Sequence, residues 1–382
     1  MRPGIADAPM VRLGAVLAGL ALCVSATAGE KVEEGISTEY ESFDLVRIAG
    51  DLEHPWSVAF LPGGGYLVTE RGGTLKHIQR NGNVREVGGV PEVVARGQGG
   101  LLDVSLHPDF ESNGWVYLTY SSGDEDRSYT ALGRGLMEGG ALHDFENLFE
   151  QDRGGSNHGH FGSRLAWLSD GTLLMTIGDR RQEEPAQDPA THAGKLLRLT
   201  DEGATPADNP FADRDDAHPQ IYAYGLRNSQ GLVVDPSDDT IWLTDHGPRG
   251  GDELNRIEAG GNYGWPVVSR GREYPTEQSF GEARSDDGMI DPVYEFLPTL
   301  APSGLALVTA DRFEAWQGNL LAGGLRAERI MRIVIEDDEV VHMEELLHGK
   351  IGRIRDVREG PSGHIYVLTD ESDGGLYRME AR

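Results

Sequence analysis

The sequence predicts an all-β protein, a six-bladed β-propeller of four-stranded antiparallel blades in which an N-terminal strand closes the last blade. Three observations carry that prediction. A short apolar strand, a Pro/Asp/Gly turn and a second strand ending in polar residues recur six times along the chain. Helical periodicity is nearly absent over the same stretch. The chain also holds 52 glycines and 19 prolines in 382 residues, which implies many turns.

The copies follow in order. The first is Trp56 to Glu70, and the second runs from Leu102 through the Trp115–Tyr120 strand. The third is Arg164 to Asp179, and the fourth starts at Gly231 and ends with Thr240–Asp245. The fifth, Gly304–Val308 with Asn319–Gly323, is more degenerate, and the sixth is Ile354 to Asp370. Each reads as a hairpin of short β-branched or aromatic strands bounded by turn residues. Further strand candidates follow most copies, at 74–79, 195–200 and 329–335. Successive copies begin about 45–75 residues apart, which suits four-stranded blades with variable insertions. Phe43–Ile48 precedes the first copy and Gly375–Met379 ends the last, so the early segment is expected to complete the final blade. The acidic, Gly-rich stretches 122–157 and 270–290 show little pattern and are expected as long surface loops. No inter-domain linker stands out.

The N-terminus indicates the compartment. Arg2 and Arg12 precede the apolar run Leu13–Val24, which ends in Ala26-Thr27-Ala28, as in a cleavable export signal. The run is shorter than the roughly 20 residues a spanning helix needs. Leu22, before the single cysteine Cys23, is bulkier than a lipoprotein signal usually carries there, so cleavage is expected after Ala28. The expectation is therefore a signal peptide over 1–28 and one propeller domain over 29–382, periplasmic or secreted, without disulfides. A formal charge of −29 argues against a nucleic-acid partner, because phosphate would be repelled.

Four places at the edges of the repeats could carry chemistry, since blade ends converge on a central channel. His158-Gly-His160 before the third hairpin offers a general base, or simply structural histidines. Arg227, Asn228 and Gln230 before the fourth can present several directional donors to one ligand, or form a blade-to-blade network. The run Asp245-His-Gly247-Pro248-Arg-Gly-Gly-Asp252-Glu253, followed by Tyr263, offers carboxylates and carbonyls to calcium, or is a turn held by Asp side chains. Arg326, Arg353 and Arg355 suggest an anionic ligand on the axis, or ordinary salt bridges.

In this order, and together with the run Gly97-Gln98 to Phe110, these places resemble the soluble quinoprotein sugar dehydrogenases, the glucose/sorbosone dehydrogenase family, over nearly the whole mature chain. The compact length and short loops are most like its aldose sugar dehydrogenases. The resemblance implies pyrroloquinoline quinone (PQQ) and Ca²⁺ as cofactors. It implies His160 as base with Gln98 beside it at the substrate. Arg227, Asn228 and Gln230 would hold the quinone, and Arg353 and Arg355 its carboxylates. The Gly247 and Pro248 carbonyls would bind the calcium beside it, and Glu253 with the Tyr263 carbonyl a second, structural calcium. Gln182 and Thr299 fall near the family's cofactor or substrate contacts, assigned to the cofactor on weaker local matches, and Asp252 and Tyr294 lie on the substrate side.

Three departures accompany the match. Leu325-Arg326 stands where the family has a quinone-contacting lysine, Gly159 where the glucose enzyme has Asp, and Leu297 where it has tryptophan. Arginine keeps the charge but changes its length and geometry. The chemistry implied is oxidation of the anomeric hydroxyl of aldoses to lactones, with His160 taking the proton, hydride passing from C1 to the quinone C5, and a broad substrate range. Electrons would leave to an external acceptor, and a monomer is expected. Two other readings remain open from the sequence: a calcium-dependent lactonase on the same fold, and a non-catalytic extracellular binding module.

Overall fold

The computed structural model describes residue 1 and residues 29–382 except 275, so the expected signal peptide and Cys23 lie outside the described residues apart from Met1. The described strands form six antiparallel sheets. Blade 1 spans 55–87, blade 2 101–150, blade 3 162–224, blade 4 229–296 and blade 5 302–346, each of four strands. Blade 6 is built from 354–381 and closed by Ser42–Leu52, which pairs with Gly374–Ala381. The expected closure is therefore present. A further strand, Glu30–Ser37, pairs outside it and makes this blade five-stranded.

The innermost strands of successive blades touch in a closed cycle, from Pro55–Phe60 round to Ile354–Glu359 and back. Alternation along each strand sends apolar side chains to both faces, because both faces pack on a neighbouring blade. Among the described residues six apolar clusters fill the seams between blades, and a seventh joins Trp56, Leu102 and Phe161 of blades 1 to 3. No helix among the described residues is long and apolar enough to cross a membrane.

The repeat also carries polar stitching. The threonine near the end of a second strand recurs as Thr69, Thr119, Thr176, Thr244 and Thr369. Thr119 Oγ1 donates to the Ser163 carbonyl at 2.8 Å and Thr176 Oγ1 to the Ser229 carbonyl at 3.0 Å, each tying one blade to the next. Blade 5 has Gly323 at this position, and there Ser303 Oγ reaches across to the Ile354 carbonyl at 2.7 Å instead. This explains why the fifth copy looks degenerate. Below the wide end, Arg164 and Arg358 interlock with Asp103 and Asp356 on the axis, with ion-pair distances from 3.0 to 3.5 Å.

One expectation is corrected. The stretch 122–157 is not a loop but supplies the outer strands of blade 2, Ser128–Glu138 and Ala141–Glu150. The outermost strand is half solvated, and register shifts at His143/Glu146 and Asn147/Phe149 break its alternation, so no period-two signal survives. The stretch 270–290 does lack regular strands, with only isolated bridges such as Arg249–Arg272.

Candidate active site

A cavity of about 460 Å³ sits on the propeller axis, lined among others by Trp56, Gln98, His160, Arg227, Asn228, Gln230, Arg353 and Arg355. A second lobe of about 530 Å³ shares His160, Arg227 and His246 with it and adds Asp179, Trp265 and Tyr274. Most of these residues stand at the first turn of an innermost strand or on the loop before it, which is why repeats distant in sequence meet here.

His160 lies between glycines with φ at +52°, just before the first strand of blade 3. Gly178 makes room for this: any side chain there would collide with the His160 carbonyl. The His160 N–H donates to Gln98 Oε1 at 2.7 Å, and the Gln98 N–H donates to the His158 carbonyl at 2.8 Å, so Gln98 buttresses the loop at two points. His160 Nδ1 lies 2.6 Å from Asp179 Oδ1. Asp179 also accepts from Trp265 Nε1 at 2.9 Å and from the Arg181 N–H at 2.7 Å. A carboxylate only accepts, so Nδ1 carries the proton and Nε2 keeps its lone pair for the cavity. Burial pushes the His160 pKa below its ordinary value; Asp179 opposes this, and Arg227 and Arg181 add to the lowering. His160 is thus a neutral, oriented base near pH 7. Both ring nitrogens of His158 are engaged, with Ser128 Oγ at 3.0 Å and the Glu125 carbonyl at 2.9 Å, which makes it structural.

Arg227, Arg353 and Arg355 line the same cavity, while Arg326 does not. Arg355 Nη2 and Arg353 Nη2 both donate to Asp370 Oδ2, at 2.7 and 3.1 Å. Arg355 Nη1 reaches Gln230 Oε1 at 3.0 Å, 125 positions away. Arg227 is set by Asp245, which accepts its N–H at 2.7 Å and that of Asn228 at 2.7 Å. Asn228 Oδ1 in turn accepts the Gly162 N–H at 3.1 Å. Arg227 Nε, Arg355 Nε and His246 Nε2 are buried without a hydrogen-bond partner among the described residues. The two orphaned guanidinium donors, Arg227 Nε and Arg355 Nε, call for a ligand with acceptors on this polar cavity. A planar tricarboxylate such as PQQ fits that demand. Trp56 forms part of the floor, backed by the Arg164 guanidinium 4.2 Å from its ring.

The donor chemistry for calcium is oxygen throughout. The Gly247 Cα packs so closely on the Gly250 and Gly251 carbonyls that a Cβ would collide with both, and Pro248 is buried beside it. Such a carbonyl-rich turn suits a hard cation. The Gly247 carbonyl also accepts from Arg227 Nη1 at 2.9 Å, so a cation there competes with Arg227 for that oxygen. Across blade 4, Asp245, Glu253 and Glu295 stand directly opposite one another on adjacent strands. Burial first and then the Asp245 charge push Glu253 up to about 8, with Asn255 and Arg270 opposing. The buried Tyr263 is fixed nearby in the chain by its N–H to the Tyr224 carbonyl at 2.9 Å.

Five of the cofactor and substrate candidates do not come to the axial cavity. Tyr294 sits on the outermost strand of blade 4, and with Leu297 and Thr299 it lines a separate cavity of about 220 Å³. Only inner strands reach the axis. Thr299 donates its hydroxyl to Asp252, and Asp252 is buried, accepting also from the N–H groups of Gly247, Leu300 and Ala301. Asp252 therefore positions two loops and does not face substrate. Gln182 is exposed and donates to the Gly154 carbonyl at 3.3 Å. Arg326 is exposed too, while Leu325 before it lines the cavity. Sequence reasoning missed Asp179, Trp56, His246 and Asp370. A signal existed for Asp370: an acid follows the recurrent threonine in Thr69-Glu70, Thr244-Asp245 and Thr369-Asp370.

A family model described as Glucose / Sorbosone dehydrogenase matches residues 52–378. Aldose sugar dehydrogenase YliI of Escherichia coli is 41% identical over 338 residues, covering 87% of this chain and 91% of that protein. The crystal structure of the soluble aldose sugar dehydrogenase from Escherichia coli in the apo-form superposes with a TM-score of 0.86 at 39% identity, covering 89% of this chain and all of that one. The PQQ-bound form of aldose sugar dehydrogenase from Streptomyces coelicolor gives 0.74 at 29% identity, covering 88% and 96%.

Proposed function

The chain belongs to the Glucose / Sorbosone dehydrogenase family, and from that premise we propose that it oxidises the anomeric hydroxyl of aldose sugars to lactones with PQQ and calcium as cofactors. One observation carries the reading: a neutral histidine base, fixed by a buried carboxylate, opens on an axial cavity ringed by arginines with unpartnered donors. A hydrolytic or purely binding role would leave that base and those donors without a common purpose.

Arg353 and Arg355 would meet the quinone carboxylates, and Arg227, Asn228 and Gln230 its polar edge. The Gly247 and Pro248 carbonyls would hold the calcium beside it, and Glu253 and the Tyr263 carbonyl a structural one. When bound, the quinone supplies the two-electron acceptor for the C1 hydrogen and calcium polarises it. His160 Nε2 takes the proton of the anomeric hydroxyl, and Asp179 stabilises the imidazolium as it forms. Gln98 holds the His160 backbone and turns its amide to the sugar. Arg227 places positive charge where negative charge develops. The electrons then leave to an external acceptor, and the export signal read from the sequence puts this chemistry in the periplasm or outside the cell.

The substrate range should be broad. Gly159 offers no side chain beside the base, whereas Leu297 lines the separate cavity and does not bear on the sugar. Losing a partner for a sugar hydroxyl costs about 1–3 kcal/mol, so discrimination among sugars falls roughly ten- to a hundred-fold. The test is reconstitution with PQQ and Ca²⁺, a dye-reduction screen over mono- and disaccharides, and a quinone titration of Arg227→Ala and of Arg353→Ala with Arg355→Ala. Oxidation of several aldoses with similar efficiency, and sharply weaker quinone binding in the variants, are expected. Unchanged quinone titrations would remove the cofactor assignment, and one sugar preferred by several orders of magnitude would remove the broad range.

A further inference from the structure

At the junction of blades 2 and 3, away from the axial cavity, one carboxylate meets two imidazoles. Asp152 follows the outermost strand of blade 2, Ala141–Glu150. His192 lies in the loop before the third strand of blade 3, Lys195–Leu199, and His218 just before its last strand, Ile221–Tyr224. Asp152 Oδ1 is 3.0 Å from His192 Nδ1, and Oδ2 is 3.3 Å from His218 Nε2. One ligand atom from each residue lies within 4.8 Å of the other two.

The backbone fixes this arrangement. The His192 N–H donates to Asp152 Oδ1 at 2.9 Å, and the His218 N–H donates to the Pro189 carbonyl at 2.9 Å. Phe149 packs edge-on against the His192 ring, with centroids 4.9 Å apart at 83°. Side-chain exposure rises from 6% at His192 to 25% at Asp152 and 31% at His218, so the cluster is shielded on one side and open on the other.

Two imidazole nitrogens and one carboxylate are poor ligands for calcium, which takes six to eight oxygens. They are a common set for zinc and its neighbours, which bind nitrogen at about 2.0–2.1 Å and oxygen at about 2.0–2.2 Å. We propose that Asp152, His192 and His218 bind a divalent transition metal of the zinc class, with water completing the shell on the exposed side, and that the ion clasps blade 2 to blade 3. One movement is required. The two rings are stacked, with centroids 3.8 Å apart and planes 21° from parallel, so a single ion cannot lie in both ring planes. His218, the more exposed ring, turns away from the stack, while His192 stays wedged by Phe149. His192 binds through Nδ1 and carries its proton on Nε2.

The experiment uses metal-stripped full-length mature protein in excess Ca²⁺, which saturates oxygen-rich sites, titrated with Zn²⁺ and Co²⁺. Expected are one Co²⁺ per chain with the visible absorption of a nitrogen-ligated, low-coordinate ion, and a rise in Tm of about 3–5 °C with saturating Zn²⁺. His218→Gln should abolish both while its metal-free Tm and far-ultraviolet circular dichroism stay those of the parent. Asp152→Asn should weaken Co²⁺ binding at least ten-fold. No Co²⁺ binding by the parent at about 100 micromolar metal, or an unchanged spectrum and Tm shift in His218→Gln, overturns the site.

Discussion

At the scale of single residues, the proposed chemistry turns on which nitrogen of His160 carries the proton. Asp179 Oδ1 sits 2.6 Å from Nδ1, so the tautomer is imposed by a partner 19 positions away on the other strand of the hairpin. Replacing that carboxylate with an amide lets a donor face Nδ1 and turns the lone pair away from the cavity. Asp179→Asn should therefore lower kcat by about 10²–10⁴-fold with little change in quinone affinity. Equal loss of both would mean that the pocket had collapsed. The pH profile is a second check. The base form is the active one, and burial lowers the folded pKa, so activity should persist below pH 6.5 and fail only as pH drops through that lowered value. A limb at or above 6.5 would contradict a buried base. His160 itself was legible, because it interrupts a Gly-rich loop before a strand. Asp179 ends the third repeat, and its role is not legible there, since its partner is fixed by the hairpin and not by spacing.

At the scale of elements, the wide end of blade 4 concentrates the electrostatic problem. Asp245 accepts from the backbone N–H groups of Arg227 and Asn228, and Glu295 is paired with Arg284 at 2.8 Å. Glu253 between them has only Asn255 Nδ2, at 3.3 Å. Its pKa is pushed up to about 8 in the folded chain against 4.5 in the unfolded one. The folded state then holds more protons across that window, so calcium-free protein should lose stability as pH rises from 4.5 towards 8. Calcium should reverse this, because it takes the place of the proton. Melting curves with chelator and with added Ca²⁺ at several pH values test the point; a chelator effect that is the same at pH 5 and pH 8 would exclude Glu253 as the ligand. The carboxylates were legible as a cluster in a Gly/Pro-rich turn. Asp252, the most buried of them, proved to be the exception, because its four hydrogen bonds come from loops that meet only in the folded blade.

For the whole molecule, stability depends on closing the ring. Phe43 and Leu45 on the N-terminal strand pack in the seam between blades 5 and 6, together with Trp316 and Met379, and all four are fully buried. Leu45→Ala should cost about 2–5 kcal/mol, read as a lower denaturant midpoint with an unchanged slope. Removing Glu30–Ser37, most of whose residues are exposed, should cost far less. Equal losses would mean that the outer strand, not Ser42–Leu52, holds the ring shut.

The sequence by itself determined the period, the number of blades, the closing strand and the main polar cluster at the wide end. These are written locally, in alternation, turns and the recurrent threonine, whose partners lie within a hairpin or in the next blade. Tertiary structure alone decided the rest. It turned 122–157 into the outer strands of blade 2, where solvation and bulges erase the alternation. It joined Arg355 to Gln230 and Asp370, and it sent Tyr294 to a separate cavity. The physical reason is that radial position sets whether a side chain reaches the axis. Radial position depends on the order of strands within a closed ring, and no local pattern of residues encodes it.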